Sequence, residues 1–247
     1  MRTAALILIL ALAGCVTTGG NQVDKSKMAE GYYMKGLSYL QDKNYERALS
    51  EFHRSIQTDS SYKWSYYYLG YISDVQDKLN DAVNFYKQAL SIDSDFSEAY
   101  NALGAAYSRQ QKWNEALKAY SKALENKLYT TPNLPWLNIG RVYMAQKNYN
   151  KAIEAYREAK SYVKQDFIIY ELGSALFEAG KTKEAISEFQ EGVGLAPQNA
   201  ALRYSLALAL LKGGNKKGAV REFKKAAELA PKTEIAQKAN DYIKTLR

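Results

Sequence analysis

Apolar residues recur three and four positions apart along most of this 247-residue chain, and short polar segments interrupt them at regular intervals. Spacings of three and four place apolar side chains on one side of a helix, which a neighbouring helix must cover. Polar segments end one helix and let the next begin, as at Asp42-Lys43-Asn44, Gln110-Gln111-Lys112 and Ala179-Gly180-Lys181. The pattern therefore predicts an all-α protein built of helix pairs.

Two small residues and one aromatic residue mark each helix pair. The two small-residue series keep the same period, stepping by 34, 34, 36, 33 and 34 residues, so a repeated unit is indicated. We expect the small residue of the first helix to face the alanine of the second where the helices cross. The series are Gly36, Gly70, Gly104, Gly140, Gly173 and Ala207 in the first helix, Ala48, Ala82, Ala116, Ala152, Ala185 and Ala219 in the second, and the aromatics Phe52, Tyr86, Tyr120, Tyr156, Phe189 and Phe223.

This helix-turn-helix unit resembles the tetratricopeptide repeat (TPR). The resemblance implies a right-handed superhelical solenoid in which the first helices line a concave groove. The repeats are expected at residues 29–62, 63–96, 97–130, 133–165, 166–199 and 200–231, and residues 232–247 are expected to form an amphipathic capping helix.

The amino terminus has the pattern of an export signal. Arg2 precedes an apolar run from Ala4 to Ala13, which is too short to span a bilayer and therefore predicts a cleaved signal over residues 1–14. The ending Leu12-Ala13-Gly14-Cys15 resembles the bacterial lipobox, which implies a covalent lipid on Cys15 and no other cofactor. The alternative is a non-lipidated secretory signal followed by a chance cysteine.

Residues 15–28 are interpreted as a lipidated, flexible tether, because Thr17 to Gln22 is polar and contains two glycines. Val16 stands where, in enteric bacteria, an aspartate marks retention in the inner membrane. We therefore expect the protein on the inner leaflet of the outer membrane, held by several acyl chains and facing the periplasm.

Charge and chemistry argue against nucleic acid and against catalysis. The formal net charge of +8 comes from scattered basic residues without a nucleic-acid-binding motif. The sole histidine, His53, is expected at the surface, and neither a phosphate-binding glycine-rich loop nor a nucleophile elbow is present. We thus expect no enzyme, no metal site and no small-molecule substrate. The densest basic cluster is interpreted as a solvated face, with a contact to anionic lipid or an acidic partner as the alternative; it comprises Lys212, Lys216, Lys217, Arg221, Lys224 and Lys225.

The resemblance to TPR superhelices assigns groove-lining positions to each first helix. On this chain they are rich in aromatic and aliphatic residues, as protein-binding surfaces are, so an apolar strand or amphipathic helix is the expected guest. A carboxylate clamp is disfavoured, because only Asn101 and Arg141 suit one. The assigned binding residues are Tyr33, Trp64, Tyr67, Tyr71, Asn101, Leu137, Arg141, Met144, Phe167, Tyr170, Phe177 and Tyr204.

An alternative interpretation is that some groove-lining positions pack against the neighbouring repeat, above all Leu137 and also Leu37 and Leu208, which occupy such positions in the first and sixth repeats. For the aromatic residues we expect exposure. The double substitution of Trp64 and Tyr67 by alanine is accordingly expected to leave the fold intact and to weaken partner binding.

One segment narrows the resemblance further. The 36-residue step falls at Asn126 to Pro132, where Leu-Tyr-x-Thr-Pro leads into Asn138-Ile139-Gly140. Together with the lipobox and six repeats, this is similar to type IV pilus biogenesis lipoproteins of the PilF/PilW/Tgl type. That resemblance implies a pilotin, a chaperone for secretin subunits. The alternatives are a general periplasmic TPR adaptor for peptidoglycan hydrolases or outer-membrane assembly, and an enzyme or its accessory protein, for example a lipoprotein acting in envelope polysaccharide export.

Overall fold

The structure, a computed structural model, describes residues 19–246. Over that range the chain is all α-helical, with thirteen helices and no strand, and each helix packs on the next. The all-α solenoid predicted from the repeats is confirmed. The helices are α1 (Gly19–Gln41), α2 (Tyr45–Thr58), α3 (Lys63–Val75), α4 (Leu79–Ile92), α5 (Ser97–Arg109), α6 (Trp113–Glu125), α7 (Asn133–Ala145), α8 (Tyr149–Tyr162), α9 (Asp166–Glu178), α10 (Thr182–Leu195), α11 (Ala200–Lys212), α12 (Lys216–Leu229) and α13 (Glu234–Thr245).

The first helix begins earlier than the sequence predicts. Residues 19–28, expected in the flexible tether, belong to α1, whereas residues 15–18 lie outside the described range. Ala29 is fully buried, and its carbonyl accepts a hydrogen bond from the Ser55 hydroxyl at 2.8 Å. Once this packed part of α1 is formed, extending it toward the amino terminus adds one backbone hydrogen bond per residue without a new nucleation step.

Each helix pair turns through the same backbone conformation. One residue in the turn has a positive φ, between 56° and 84°, at Lys43, Asp77, Gln111, Lys147, Gly180 and Gly214. In the first pair, Asn44 N–H then donates to Tyr39 C=O at 2.8 Å and Lys43 N–H to Leu40 C=O at 3.0 Å, which satisfies carbonyls at the end of α1. The recurrence of this turn explains why the repeat period is so regular.

In the first five helix pairs, the glycine of the first helix faces the aromatic ring of the second helix. A Cβ atom built on Gly36, Gly70, Gly104 or Gly173 would lie only 2.5 to 2.7 Å from the ring of the partner aromatic residue. The alanines of the second helices are fully buried nearby. The ring, and not the alanine, supplies the atoms nearest to each of these glycines, because it fills the space that the missing Cβ leaves.

The odd-numbered helices lie on one side of the stack. Beyond the contacts between successive helices, α3 approaches α5, α5 approaches α7, and α9 approaches α11. These approaches place the first helices of successive repeats closest together, as expected for the inner row of a curved stack. The surface that these helices present is called the groove face below.

Ion pairs join the fourth repeat to the fifth. Arg141 pairs with Glu171 at 2.9 Å, and Arg157 pairs with Glu184 at 2.7 Å. Lys160 reaches two carboxylates of α10 and is only 16% exposed. In sequence terms, residues 131–165 carry six cationic and two anionic side chains, and residues 166–199 carry two cationic and six anionic ones. Their opposite excesses, +4 and −4, face each other across this junction.

The last helix covers the end of the stack. Ala236, Ala239 and Ile243 of α13 are buried, and the ring of Tyr242 stacks on Phe223 with a centroid distance of 4.8 Å and an interplanar angle of 2°. This packing protects the apolar side of the final helix pair, which has no further repeat to cover it.

Candidate protein-binding groove

Three aromatic side chains stand out of the groove face. Tyr71 of α3 is 41% exposed, and Phe167 and Tyr170 of α9 are 39% and 36% exposed. All three were predicted to bind a partner. Leu134, which was also expected in the groove, and Val75, which was not, extend this apolar surface at 37% and 46% exposure. Large exposed apolar side chains grouped on one surface are typical of a site that another molecule covers.

Trp64 and Tyr67 are packing residues as much as surface residues. The indole of Trp64 lies edge-on to Phe96, with centroids 4.6 Å apart, and Phe96 is 3% exposed. The ring centroid of Tyr67 lies 5.5 Å from that of Phe96 and 5.8 Å from that of Tyr86. Burial raises the pKa of Tyr67 to about 12. Both side chains are half-buried where the second repeat meets the third. They are therefore expected to contribute to folding as well as to any binding.

Tyr33 is likewise held in an aromatic cluster. Its ring lies 5.3 Å from Tyr62, 5.8 Å from Tyr68 and 6.0 Å from Phe52. Burial, followed by the neighbouring hydroxyls of Tyr68 and Tyr62, raises the pKa of Tyr33 well above its ordinary value. The first repeat thus offers a partner the edge of a packed cluster rather than a free ring.

Leu137 does not belong to the binding surface. It is 4% exposed and forms part of the core cluster that runs from the fourth repeat to α13. Leu208 packs against the same cluster and Leu37 against the core of the first repeat. The position one helical turn earlier, Leu134, is the one that faces solvent. Helical spacing alone did not distinguish the two, because a small rotation of α7 exchanges their environments.

Three further assigned residues are partly covered. Tyr204 of α11 lies between Phe223, at 5.5 Å, and Tyr242 of the capping helix, at 6.4 Å. Phe177 is covered by Lys212, whose ammonium group lies 4.3 Å from the ring centroid and donates to the Phe177 carbonyl at 3.1 Å. Met144 packs beside the core of the fourth repeat.

The polar residues of the groove face pair with one another. The Arg141 guanidinium donates twice to one Glu171 oxygen, at 2.9 and 3.0 Å, and the Asn138 amide donates to Asn101 at 3.1 Å. Because Glu171 already neutralises Arg141, these residues do not form the cationic clamp that a peptide carboxylate needs. Glu171 was not predicted from the sequence. An acidic residue 30 positions after an arginine, in a repeat of about 34 residues, could have indicated an ion pair between neighbouring first helices.

Models of the tetratricopeptide repeat match residues 29–62, 76–111, 97–127, 134–166 and 170–233 of the chain. Together these segments cover most of its length and include parts of all six helix pairs. The chain is a tetratricopeptide repeat protein. A search of curated protein sequences finds no match to it.

Solved TPR structures share this fold. PilW, described as a widely conserved type IV pilus biogenesis factor, superposes with a TM-score of 0.77 at 19% identity, covering 86% of this chain and 98% of PilW. PilF of Pseudomonas aeruginosa gives 0.76 at 20% identity, covering 88% and 99% of the two chains. YrrB, described as a TPR protein with an unusual peptide-binding site, gives 0.63 at 21% identity, covering 77% and 97%.

The central repeats of this TPR protein carry tyrosine where the outer repeats carry phenylalanine. The Tyr120 hydroxyl lies 3.2 Å from the Ser108 hydroxyl of α5. The Tyr156 hydroxyl is buried near the Glu171 carboxylate, but no hydrogen bond of ordinary geometry joins it to any described residue. Tyr86 is the third member of this group, whereas Phe52, Phe189 and Phe223 occupy the same position in the first, fifth and sixth repeats. The three hydroxyls add polar atoms close to the groove face.

The remaining site predictions concern metal ions, membranes and lipid. Within residues 19–246, acidic, histidine and cysteine side chains do not gather in a group of three suited to a metal ion. Over the same range, no helix has both the length and the apolar character needed to cross a bilayer. His53 is exposed on α2 beside Phe85. Cys15, the predicted lipidation site, lies outside the described residues.

Proposed function

We propose that this TPR protein is a lipid-anchored periplasmic assembly factor, a pilotin, which binds an apolar segment of a type IV pilus secretin subunit on its groove face. Acyl chains on Cys15 would hold it on the inner leaflet of the outer membrane, where several buried chains give stable attachment. The matched TPR families are interaction modules, so the function requires recognition and no bond is made or broken.

The observation that carries this proposal is the extent of the structural likeness. The superposition includes 98% of PilW and 99% of PilF. It also includes 86% and 88% of this chain, so the likeness extends over nearly all of its repeats. YrrB covers 77% of this chain. The lipobox at Cys15 and the longer linker at Asn126 to Pro132 are independent sequence features that support the same proposal.

The exposed apolar groups of the groove face suggest how a subunit is held. Tyr71 and Val75 form one group on α3, and Phe167 and Tyr170 form another on α9. Asn101 on α5 and Asn138 and Arg141 on α7 lie between the two groups; Asn101 pairs with Asn138, and Arg141 pairs with Glu171 of α9. An extended or helical apolar segment that contacts both groups would lose water from its own apolar side chains while the central pairs bind its polar groups.

The proposal is tested by deleting the gene and examining membranes, solubilised without boiling, for the heat-resistant secretin multimer. Loss of the multimer while the monomer persists is expected, and complementation with the unaltered gene should restore it. A multimer that remains abundant, with pili still assembled, would contradict the pilotin role and favour the general periplasmic adaptor.

Complementation with two matched triple variants then tests the groove face. Tyr71→Ser with Phe167→Ser and Tyr170→Ser should abolish rescue, because truncating central aromatic contacts weakens binding by at least about tenfold. Ile92→Ser with Tyr162→Ser and Leu195→Ser removes three comparably exposed apolar residues, at 37%, 56% and 52%, from the ends of even-numbered helices. This control should rescue fully. Equal behaviour of the two variants would argue against a groove-mediated role.

A further inference from the structure

Most of the net positive charge of the chain lies at its carboxyl-terminal end. Residues 200–246 contain ten Lys or Arg and four Asp or Glu, a net charge of +6. The opposite excesses of the fourth and fifth repeats, by contrast, are joined by ion pairs across their junction. The sixth repeat and α13 therefore carry most of the positive charge that remains after internal pairing.

Four of these cations share the outward side of α12. Lys217, Arg221, Lys224 and Lys225 are all exposed, and their spacing of three and four residues places them on one side of the helix, opposite the buried Ala219, Phe223 and Ala226. They are called the basic face below. Along the helix axis they extend over about 12 Å.

The other repeats supply an internal comparison for the basic face. The same four positions of the other even-numbered helices hold mixed residues, and none of these sets has more than two cations. The sets are Glu46, Ser50, His53 and Arg54; Asn80, Asn84, Lys87 and Gln88; Asn114, Lys118, Ser121 and Lys122; Asn150, Glu154, Arg157 and Glu158; and Lys183, Ser187, Gln190 and Glu191. The solenoid therefore does not itself require cations here, and the basic face is particular to α12.

Internal ion pairs use little of this charge. Glu222 is 5% exposed, and its closest partner is Arg203 of α11, at 2.7 Å and itself 12% exposed. Arg221 and Lys225 reach the other Glu222 oxygen from outside, at 3.2 and 4.0 Å. Lys217 and Lys224 have no ion-pair partner among the described residues, and Glu228 is the one acidic side chain that shares their side of the helix.

The character of the basic face indicates the kind of surface that it fits. Protein interfaces are depleted in lysine and are organised around buried apolar or aromatic anchors. The basic face has three lysines, and no large apolar side chain of α12 is exposed beside them. Point charges spread along a convex helix, without a cavity or an apolar centre, suit a diffuse anionic surface such as the headgroups of a bilayer.

We propose that Lys217, Arg221, Lys224 and Lys225 bind the anionic headgroups of a lipid bilayer and hold the carboxyl-terminal end of the solenoid on the membrane surface. This binding is independent of the groove face and of lipid on Cys15. With an amino-terminal anchor as well, the chain would be attached at both ends and the solenoid would lie along the bilayer.

The test measures partition of the full-length Cys15→Ser chain onto phosphatidylcholine vesicles with and without phosphatidylglycerol. The substitution removes any acyl chain, and the ratio of the two partition coefficients cancels the charge-independent contribution of the amino-terminal apolar run. A strong preference for anionic vesicles at low salt is expected. It should weaken as salt shortens the Debye length from about 30 Å at 0.01 M to about 8 Å at 0.15 M.

Two quadruple variants with the same change in net charge locate the site. Lys217→Gln, Arg221→Gln, Lys224→Gln and Lys225→Gln together should lower the preference about tenfold or more. Lys43→Gln, Lys78→Gln, Lys118→Gln and Lys127→Gln remove four exposed cations scattered over three repeats and should leave the preference nearly unchanged.

The double variant Lys217→Gln with Lys224→Gln breaks no ion pair of the described structure. Its preference for anionic vesicles should also fall, and this loss can be attributed to weaker binding to the bilayer even if the quadruple variant unfolds. Circular dichroism checks helicity in every variant. Equal losses in the two quadruple variants would overturn the proposal in favour of a diffuse effect of net charge. The proposal would also be overturned if the Cys15→Ser chain, with its basic face intact, showed no preference for anionic vesicles. An acidic protein would then remain as the candidate ligand.

Discussion

The indole of Trp64 packs edge-on against the buried ring of Phe96, with their centroids 4.6 Å apart, and so ties α3 to the residue that caps the amino-terminal end of α5, where the third repeat begins. Tyr67 contacts the same ring at 5.5 Å. The surface that sequence analysis assigned to a partner is therefore, at these two residues, a junction between repeats. From the sequence alone, the fold is expected to tolerate alanine at both positions. From the structure we expect these substitutions to lower its stability.

Trp64→Ala is predicted to lower the free energy of unfolding by about 2 kcal/mol, less than the 3 to 5 kcal/mol typical of a fully buried tryptophan, because Trp64 is half-buried. Adding Tyr67→Ala should lower it further, though not additively, since both rings contact Phe96. Tyr71→Ala, at a more exposed tyrosine of the same helix, should change it by less than about 1 kcal/mol. Denaturant titrations followed by circular dichroism measure all three. A stable, fully helical double variant would restore the original expectation.

Gly104→Ala is predicted to destabilise the protein by about 1 to 3 kcal/mol, because the new methyl group would lie 2.6 Å from the ring of Tyr120. Gly31→Ala is the matched control. Gly31 is also helical, but a Cβ there meets nothing within 4 Å, so the helix should gain about 0.5 to 1 kcal/mol. Thermal and denaturant unfolding show whether each substitution raises or lowers the free energy of unfolding. Two changes of the same sign would show that helix propensity, and not the ring, governs this position.

Tyr156→Phe is predicted to leave stability unchanged or to raise it by up to about 1 kcal/mol, because it removes a buried hydroxyl that has no partner in the described structure. Phe189 already occupies the equivalent position one repeat later. Tyr120→Phe should instead lower stability by about 0.5 to 1.5 kcal/mol, since the Tyr120 hydroxyl lies 3.2 Å from that of Ser108. Unfolding curves of the two variants, compared side by side, decide the matter; a clear loss in Tyr156→Phe would mean that its hydroxyl is paired in solution.

Lys160→Met is predicted to lower stability at neutral pH by about 1 to 2 kcal/mol, because it leaves Glu188 and Glu191 facing each other without the ammonium group that lies 2.6 and 2.7 Å from them. Lys118→Met, at an exposed lysine of α6, should change stability by less than about 0.5 kcal/mol.

The effect of Lys160→Met should depend on pH. The hydrogen bond from Lys160 lowers the pKa of Glu191, so this contribution is complete above the unfolded pKa near 4.3 and is lost as the pH falls through the folded pKa. Partial burial lowers the pKa of Lys160, but its hydrogen bonds to Glu188 and Glu191 outweigh this and raise it, so its contribution is lost only as the pH rises through a folded value above about 10.4. The difference between the two proteins should therefore be greatest between about pH 5 and pH 10. A difference that persists unchanged at pH 3 would show that packing, and not charge, is responsible.

Local sequence was sufficient to define the helices and their pairing. The glycines, alanines and aromatic residues recur with one period, and this period can be read without coordinates because each repeat solves the same packing problem with the same residue types. The positive-φ residues at Lys43, Asp77, Gln111 and Lys147 were not anticipated, since none is a glycine. Their turns were found through polarity alone.

The composition of the groove face was predictable, but the exposure of its members was not. Tyr71, Phe167 and Tyr170 are exposed, whereas Leu137 is buried and Tyr204 is partly covered by Phe223 and Tyr242. Spacing within one helix specifies only the direction in which a side chain leaves that helix. Whether it then meets solvent, a ring of the next repeat or the capping helix depends on how adjacent helices rotate and approach, and that is set by contacts between residues of different helices. For this reason the repeated architecture is a property of the local sequence, and the free surface available to a partner arises only when the repeats are stacked.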